Sequence, residues 1–251
     1  MTGEIATAAS LLFLLLASLE LGFRYGRRPT VAREAQAGGH LGAIQGAMLG
    51  LLALLLGFSF AGAASRFMER QDLIVEEANA IGTAYLRADL LDEPHRSELR
   101  SALAEYVKHR LQVSTTLRYG LADEARAEIS RLHELIWKAA RDGVSAKPVA
   151  LMALLVPVNE VIDLHSTRVA AGRKHLPPLV LGLLVASSAI SMAMIGYGCG
   201  LAGRRSALMA GSLALLIGIA LWTTMDLDKP RSGLIQLSDA PLIELNLSAP
   251  R

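Results

Sequence analysis

Four runs of the chain, 5–24, 41–63, 178–202 and 206–225, are apolar almost without interruption, and polar and charged positions fill the stretch between the second and third. Each run supplies the roughly 20 residues that carry a helix across a hydrocarbon core of about 30 Å. The pattern predicts two spans (1–63), a helical extramembrane domain (64–176), two further spans (177–226) and a C-terminal tail (227–251). The first run has no basic residue before it and ends in LELGFRYGRR, without a small-residue cleavage pattern. It reads as a retained span, not a removed signal.

The helical rhythm continues past Ala64. SRFMERQDLIVEEANAIGTAYLRADLL keeps Ile74, Ala78, Ile81 and Tyr85 at helical intervals, with no proline before Pro94, so span two is expected to run into the domain as one helix. Asp92 and Pro94 mark a turn before HRSELRSALAEYVKHRLQ. A further helix, ADEARAEISRLHELIWKAARDG, is expected to end at Gly143, and Pro148 opens a last one through NEVIDLHSTRVAAGRKH that Pro157 should kink and that leads into span three. The fold class is therefore an all-α membrane protein, with stems continuous with spans two and three. The tail scatters apolar residues among turn formers and is expected to lie along the domain or the membrane surface.

Composition agrees: 52% of residues are hydrophobic and the mean hydropathy is +0.38, too apolar for a soluble domain. A formal net charge of +2 offers nothing for nucleic acid. The single cysteine, Cys199, lies inside span three, so no disulfide or redox thiol pair is expected. His40, His95, His109, His133, His165 and His175 show no pair at helical ligand spacing, and serine elbows, phosphate loops and nucleotide fingerprints are missing. No metal, cofactor or catalytic residue is expected. Basic residues of the short loops (Arg24, Arg27, Arg28, Arg33, Arg204 and Arg205) favour loops inside and domain outside. Arg66, Arg70, Arg168, Arg173 and Lys174 on the domain side pull the other way.

Within the spans, Gly42, Gly46 and Gly50 repeat every four residues and continue through Ala53, Gly57, Ala61 and Ala64, a stripe that lets another backbone approach in lipid. It serves packing within one chain or around an oligomer axis. Gln45 beside it either lines a pore or bridges helices. Glu20 pairs with Arg24 four residues on. GYGCG (196–200) superficially matches a potassium-filter run, but inside a continuous apolar helix it points to tight packing. Span four must end near Asp226, Asp228, Lys229 and Arg231, which are expected at the interface on the domain side.

Two polar stripes remain in the domain. Glu76, Asn79, Thr83 and Arg87 share one helical face; Asn159, Asp163 and Ser166 share another, with Glu160 and Thr167 at its edge. If two antiparallel helices rise equally from Ala64 and Pro177, residues at equal height have numbers adding to about 241. Glu76 and Glu77 then stand level with His165 and Leu164, and Asn79 with Ile162. Arg168 is expected to pair with Glu76 or Glu77, and Asn79, Asn159 and Asp163 to hydrogen-bond across the same interface, as a clamp and secondarily an ion vestibule.

The runs GFSFAGAASRF, EEANAIGTAYLRADLL, NEVIDLHSTR, GYGCGLAGRR and DLDKPRSGLI, in this order, resemble the bacterial bestrophin-like membrane family. The resemblance covers most of the chain outside 95–145. It implies a multi-pass protein of the bacterial inner membrane and, by way of bestrophins themselves, a pentameric ion channel with a cytosolic helical region. That placement opposes the arginine count. Bestrophin pores are narrowed by bulky apolar residues on the second span, and Leu54 and Phe58 are the nearest counterparts, although Gly62 breaks the spacing. Two functions follow: an oligomeric ion-conducting protein passing inorganic ions, with carboxylates that lean towards cations, or a non-conducting membrane scaffold or sensor whose domain binds a partner.

Overall fold

The computed structural model describes residues 2–28, 40–116, 122–231, 233–245 and 247; Arg33, counted above, lies outside them. The helices are α1 (Thr2–Gly26), α2 (Leu41–Arg87), α3 (His95–Thr116), α4 (Ala122–Ala146), α5 (Leu151–Arg173), α6 (Pro178–Leu201), α7 (Ala207–Asp228) and the short α8 (Ala240–Glu244). Single 3-10 turns occupy Ala88–Leu90 and Pro148–Ala150. Among the described residues four helical stretches are long and apolar enough to cross a membrane, those beginning at Ile5, Leu41, Pro148 and Ala207. The chain is an all-α, membrane-embedded protein.

The chain divides into two compact units, 1–65 with 175–235, and 66–174 with 236–251. α2 is one unbroken helix, as its uninterrupted periodicity predicted. The stem of span three differs, because α5 ends at Arg173 and α6 begins only at Pro178. Pro177 and Pro178 lack backbone donors and bias the residues before them away from helix, so the chain breaks there. Pro157 sits inside α5 without ending it. Gly143 does not stop α4, which runs on to Ala146. Its missing side chain makes room for Leu91 and His95, whose carbons would stand 2.6 and 3.2 Å from a Cβ there.

In the membrane unit, α1 and α6 touch backbone to backbone. Gly22 and Gly26 lie on the Ala193 and Tyr197 carbonyls, and Gly196 and Gly200 lie on those of Leu19 and Phe23, so closely that any Cβ would overlap an oxygen. Four-residue glycine spacing on both helices is the packing device, and GYGCG is half of it. Leu11, Leu15, Leu52, Leu184, Met192, Ala214, Ile217 and Leu221 fill the core around it.

In the helical unit, apolar stripes of α2, α3, α4 and α5 meet around Ile81, Leu103, Tyr106, Leu132, Ile136, Leu154 and Val158. Arg70 fastens α2 to the C-terminal end of α5, donating to the carbonyls of Ala171 (3.1 Å) and Lys174. At the other end Arg87 donates to the Ala153 carbonyl at 2.8 Å. Both contacts fall on the antiparallel register read from the sequence. The tail does lie along this unit: Leu242 is buried in its core, Gln71 exchanges hydrogen bonds with the backbone of Ser238, and Tyr85 donates to the Leu247 carbonyl at 2.8 Å.

Candidate functional site

Each helix of the helical unit's core carries a polar residue on its apolar stripe. Glu77 sits three residues after Ile74 and four before Ile81. Tyr106 and Arg110 extend the spacing of Leu99 and Leu103, His133 follows Ile129 and Leu132, and His165 and Arg168 prolong the row of Leu154, Val158 and Val161. Helix periodicity therefore aims all six at one layer. The Glu77 side chain is 0% exposed, Arg110 2% and Arg168 14%.

Glu77 is the hub. Its Oε1 accepts from the Tyr106 hydroxyl at 2.6 Å and from Arg110 Nε at 3.2 Å. Its Oε2 accepts from Arg110 Nη2 at 3.2 Å and stands 3.2 Å from Arg168 Nε. Because the Tyr106 proton goes to Glu77, His165, whose Nδ1 lies 3.3 Å from that hydroxyl, is the donor there. The His133 ring crosses that of His165 edge-on at 5.0 Å and lies 5.3 Å from Tyr106. His133 Nε2 is buried without a hydrogen-bond partner among the described residues.

One carboxylate thus faces two guanidiniums. Burial raises the Glu77 pKa, but Arg110 and Arg168 outweigh it and hold the carboxyl below its ordinary range. Burial, and then the Glu77 charge, push Tyr106 well up. Burial and Arg168 pull His165 down to about 4, and burial lowers His133. At neutral pH both imidazoles are uncharged, and a single fixed charge network ties α2, α3 and α5 together, with the His133 ring of α4 packed against it. Among the described residues no group of three or more His, Cys, Asp or Glu side chains is placed to hold a metal ion.

Of the expected network, Arg168, Glu77 and His165 are brought together, with the Arg168–Glu77 pair one helical turn off the simple register. Glu76, Asn79, Glu160 and Asp163 are exposed instead, Thr83 is half-buried, and Asn159 donates to Asp163 of its own helix at 2.9 Å. Those stripes face outwards because the apolar faces of α2 and α5 take the interior. Tyr106, Arg110 and His133 were missed. The signal that marks them is a charged or imidazole residue in register with an apolar stripe, which a stripe made only of polar residues does not carry.

In the membrane unit Gln45 bridges helices, donating to the Met194 carbonyl at 2.6 Å. Among the described residues Gly42, Gly46, Gly50 and Gly57 meet nothing where a Cβ would stand, so none of those residues packs on the stripe. Leu54 and Phe58 project from α2 with 55% and 71% exposure. Asp226 accepts from the amides of Leu234 (3.0 Å) and Ile235 (2.8 Å), and Asp228 from that of Leu176 (3.0 Å). These buried carboxylates fold the chain after α7 back on itself and tie it to the start of α6; Arg231 is half-buried in the turn.

The same architecture occurs in a solved structure. A point variant of a bacterial bestrophin homolog from Klebsiella pneumoniae superposes with a TM-score of 0.67 at 16% identity, covering 96% of this chain and 100% of that one. No curated protein matches the chain. The Bestrophin-like domain matches over residues 12–242, nearly the whole chain, and the protein belongs to the bestrophin-like family.

Proposed function

We propose that the chain is one protomer of a homo-oligomeric, ion-conducting protein of the bacterial inner membrane, with the outward face of α2 turned towards the oligomer axis. The observation that carries this is the unused stripe. α1 and α6 use their glycines against each other, whereas Gly46, Gly50 and Gly57 of α2 stand open beside exposed Leu54 and Phe58. In lipid, apolar burial gives helices no drive to associate, so a small-residue stripe is most useful where another helix approaches. A second copy is the natural occupant, in fivefold symmetry by likeness to bestrophins. Leu54 and Phe58 would then form an apolar constriction of the kind that gates by dewetting.

The buried Glu77 cluster supports a second reading. Its hub carboxylate is fully buried and paired with three side chains, which suits a rigid, partner-binding scaffold at least as well as a vestibule. Ion flux into liposomes containing the purified protein separates the two. Conduction requires flux above empty liposomes that rises in Phe58→Ala or Leu54→Ala; a scaffold gives neither.

A further inference from the structure

Among the described residues, the short-loop end of the membrane unit carries more positive charge than its carboxylate balances. Arg24, Arg27 and Arg28 lie at and just beyond the end of α1, Arg204 and Arg205 just before α7, and all five are exposed. The glycine crossing unites them, since Gly200 abuts the backbone of Phe23, Gly26 and Arg27. Among the described residues Glu20 is the carboxylate that meets them, bonded to Arg24 at 2.8 Å and Arg205 at 3.2 Å. Arg27, Arg28 and Arg204 have no carboxylate partner among those residues.

The guanidiniums are held against rings. Arg205 stacks on Phe23 at 4.5 Å, Arg27 reaches the same ring at 5.8 Å, and Arg28 lies over Tyr25 at 5.2 Å. Stacking fixes the plane and leaves N–H edges free for a planar, two-point contact with phosphate. The first span ends at Gly26 and the fourth begins at Ala207, which sets these groups at headgroup depth. Between them a small cavity of about 90 Å³ opens beside Arg205, its floor made by Leu19, Phe23, Cys199, Ala207 and Ala210 and its rim by Ser206 and by Glu20, whose carboxylate is held by Arg24 and Arg205.

We propose that this arginine cluster binds the phosphate of an anionic phospholipid of the phosphatidylglycerol type, with the cavity taking the first carbons below the headgroup. The apolar floor and the position at the span ends select a lipid over free phosphate. The reading is independent of whether the protein conducts and of which side the domain faces.

The test uses the full-length protein in neutral detergent, with phosphatidylglycerol and phosphatidylcholine occupancy measured by native mass spectrometry. Each unpaired guanidinium should contribute about fivefold in preference for the anionic lipid, roughly a hundredfold for three. Arg27→Gln/Arg28→Gln/Arg204→Gln should abolish most of it, and the matching triple Lys variant should keep much of it. If the glutamine triple does not fold, Arg204→Gln alone should lower the preference about fivefold. Equal occupancy of the two lipids in the native protein, or an undiminished preference in the glutamine variants, overturns the proposal. So does displacement of the lipid by millimolar inorganic phosphate, which would make the site one for a free anion.

Discussion

Replacing Glu77 by glutamine removes one charge and almost no volume, and it strikes the helical unit where compensation is least available. Arg110 and Arg168 would be left facing each other in an apolar core, Arg110 at 2% exposure. Breaking a buried ion pair by removing one partner costs about 3–5 kcal/mol. The amide oxygen still accepts a hydrogen bond, which returns about 1 kcal/mol. The expected loss is about 3 kcal/mol, or roughly 6–12 °C in Tm for a protein of this size. Arg110→Met should be similarly damaging, and Arg168→Ala milder, because its side chain is 14% exposed. The readout is the fluorescence of Trp137, which belongs to α4, during thermal unfolding in detergent, with Trp222 of α7 replaced by phenylalanine in every variant. Arg131→Ala is the control, since its partners Glu105 and Glu128 are at the surface, and it should barely move the transition. Glu77→Leu with Arg110→Met and Arg168→Met should recover most of the loss, because hydrophobic groups of similar volume replace buried ions at little net cost. A Glu77→Gln shift no larger than that of Arg131→Ala would refute the reasoning.

Four further outcomes are expected. His165 has a folded pKa of about 4 against an ordinary 6.5, so the unfolded chain takes up its proton first; stability is full above pH 6.5 and falls by about 3 kcal/mol on the way to pH 4. His165→Gln should flatten the Tm profile in that window, while the Glu77 contribution, with its pKa held below 4.5, is lost only at still lower pH; an unaltered profile counts against the burial argument. Gly22→Leu and Gly196→Leu should abolish folding of the membrane unit, whereas Gly46→Leu and Gly50→Leu should leave a folded protomer of reduced oligomer mass in detergent; an unchanged mass for both α2 variants would exclude the α2 stripe from assembly. Asp226→Ala frees the amides of Leu234 and Ile235 and should expose the chain there to limited proteolysis, and equal protease resistance would show that the carboxylate is not what holds it. Lys229→Cys and Arg204→Cys, at opposite ends of α7, should react with an impermeant label from opposite sides of the membrane; labelling from one side would end the four-span layout, and which side takes Lys229 decides between the arginine count and the bestrophin-like orientation.

The sequence alone determined the spans, the helical class and the unbroken α2, because these depend on properties local to one helix: apolar length, helical period and the absence of proline. Family membership was legible for the same reason, in long runs that keep their order. Antiparallel register, which needs only the rise per residue, brought Arg168 to within one helical turn of its partner Glu77. What the tertiary structure decided was which face of each helix turns inwards. Glu76 and Glu77 are adjacent and chemically alike, yet one is exposed and the other is the hub of the core, because the stripe of Ile74, Ala78 and Ile81 carries only Glu77 with it. Tyr106 and Arg110 come to that carboxylate from a helix about thirty residues away, a pairing no local pattern encodes. The same distinction separates the glycines. Gly22, Gly26, Gly196 and Gly200 share the spacing of Gly46 and Gly50, and only the docking of α1 on α6 shows which set is already spent within the chain and which is left facing outwards.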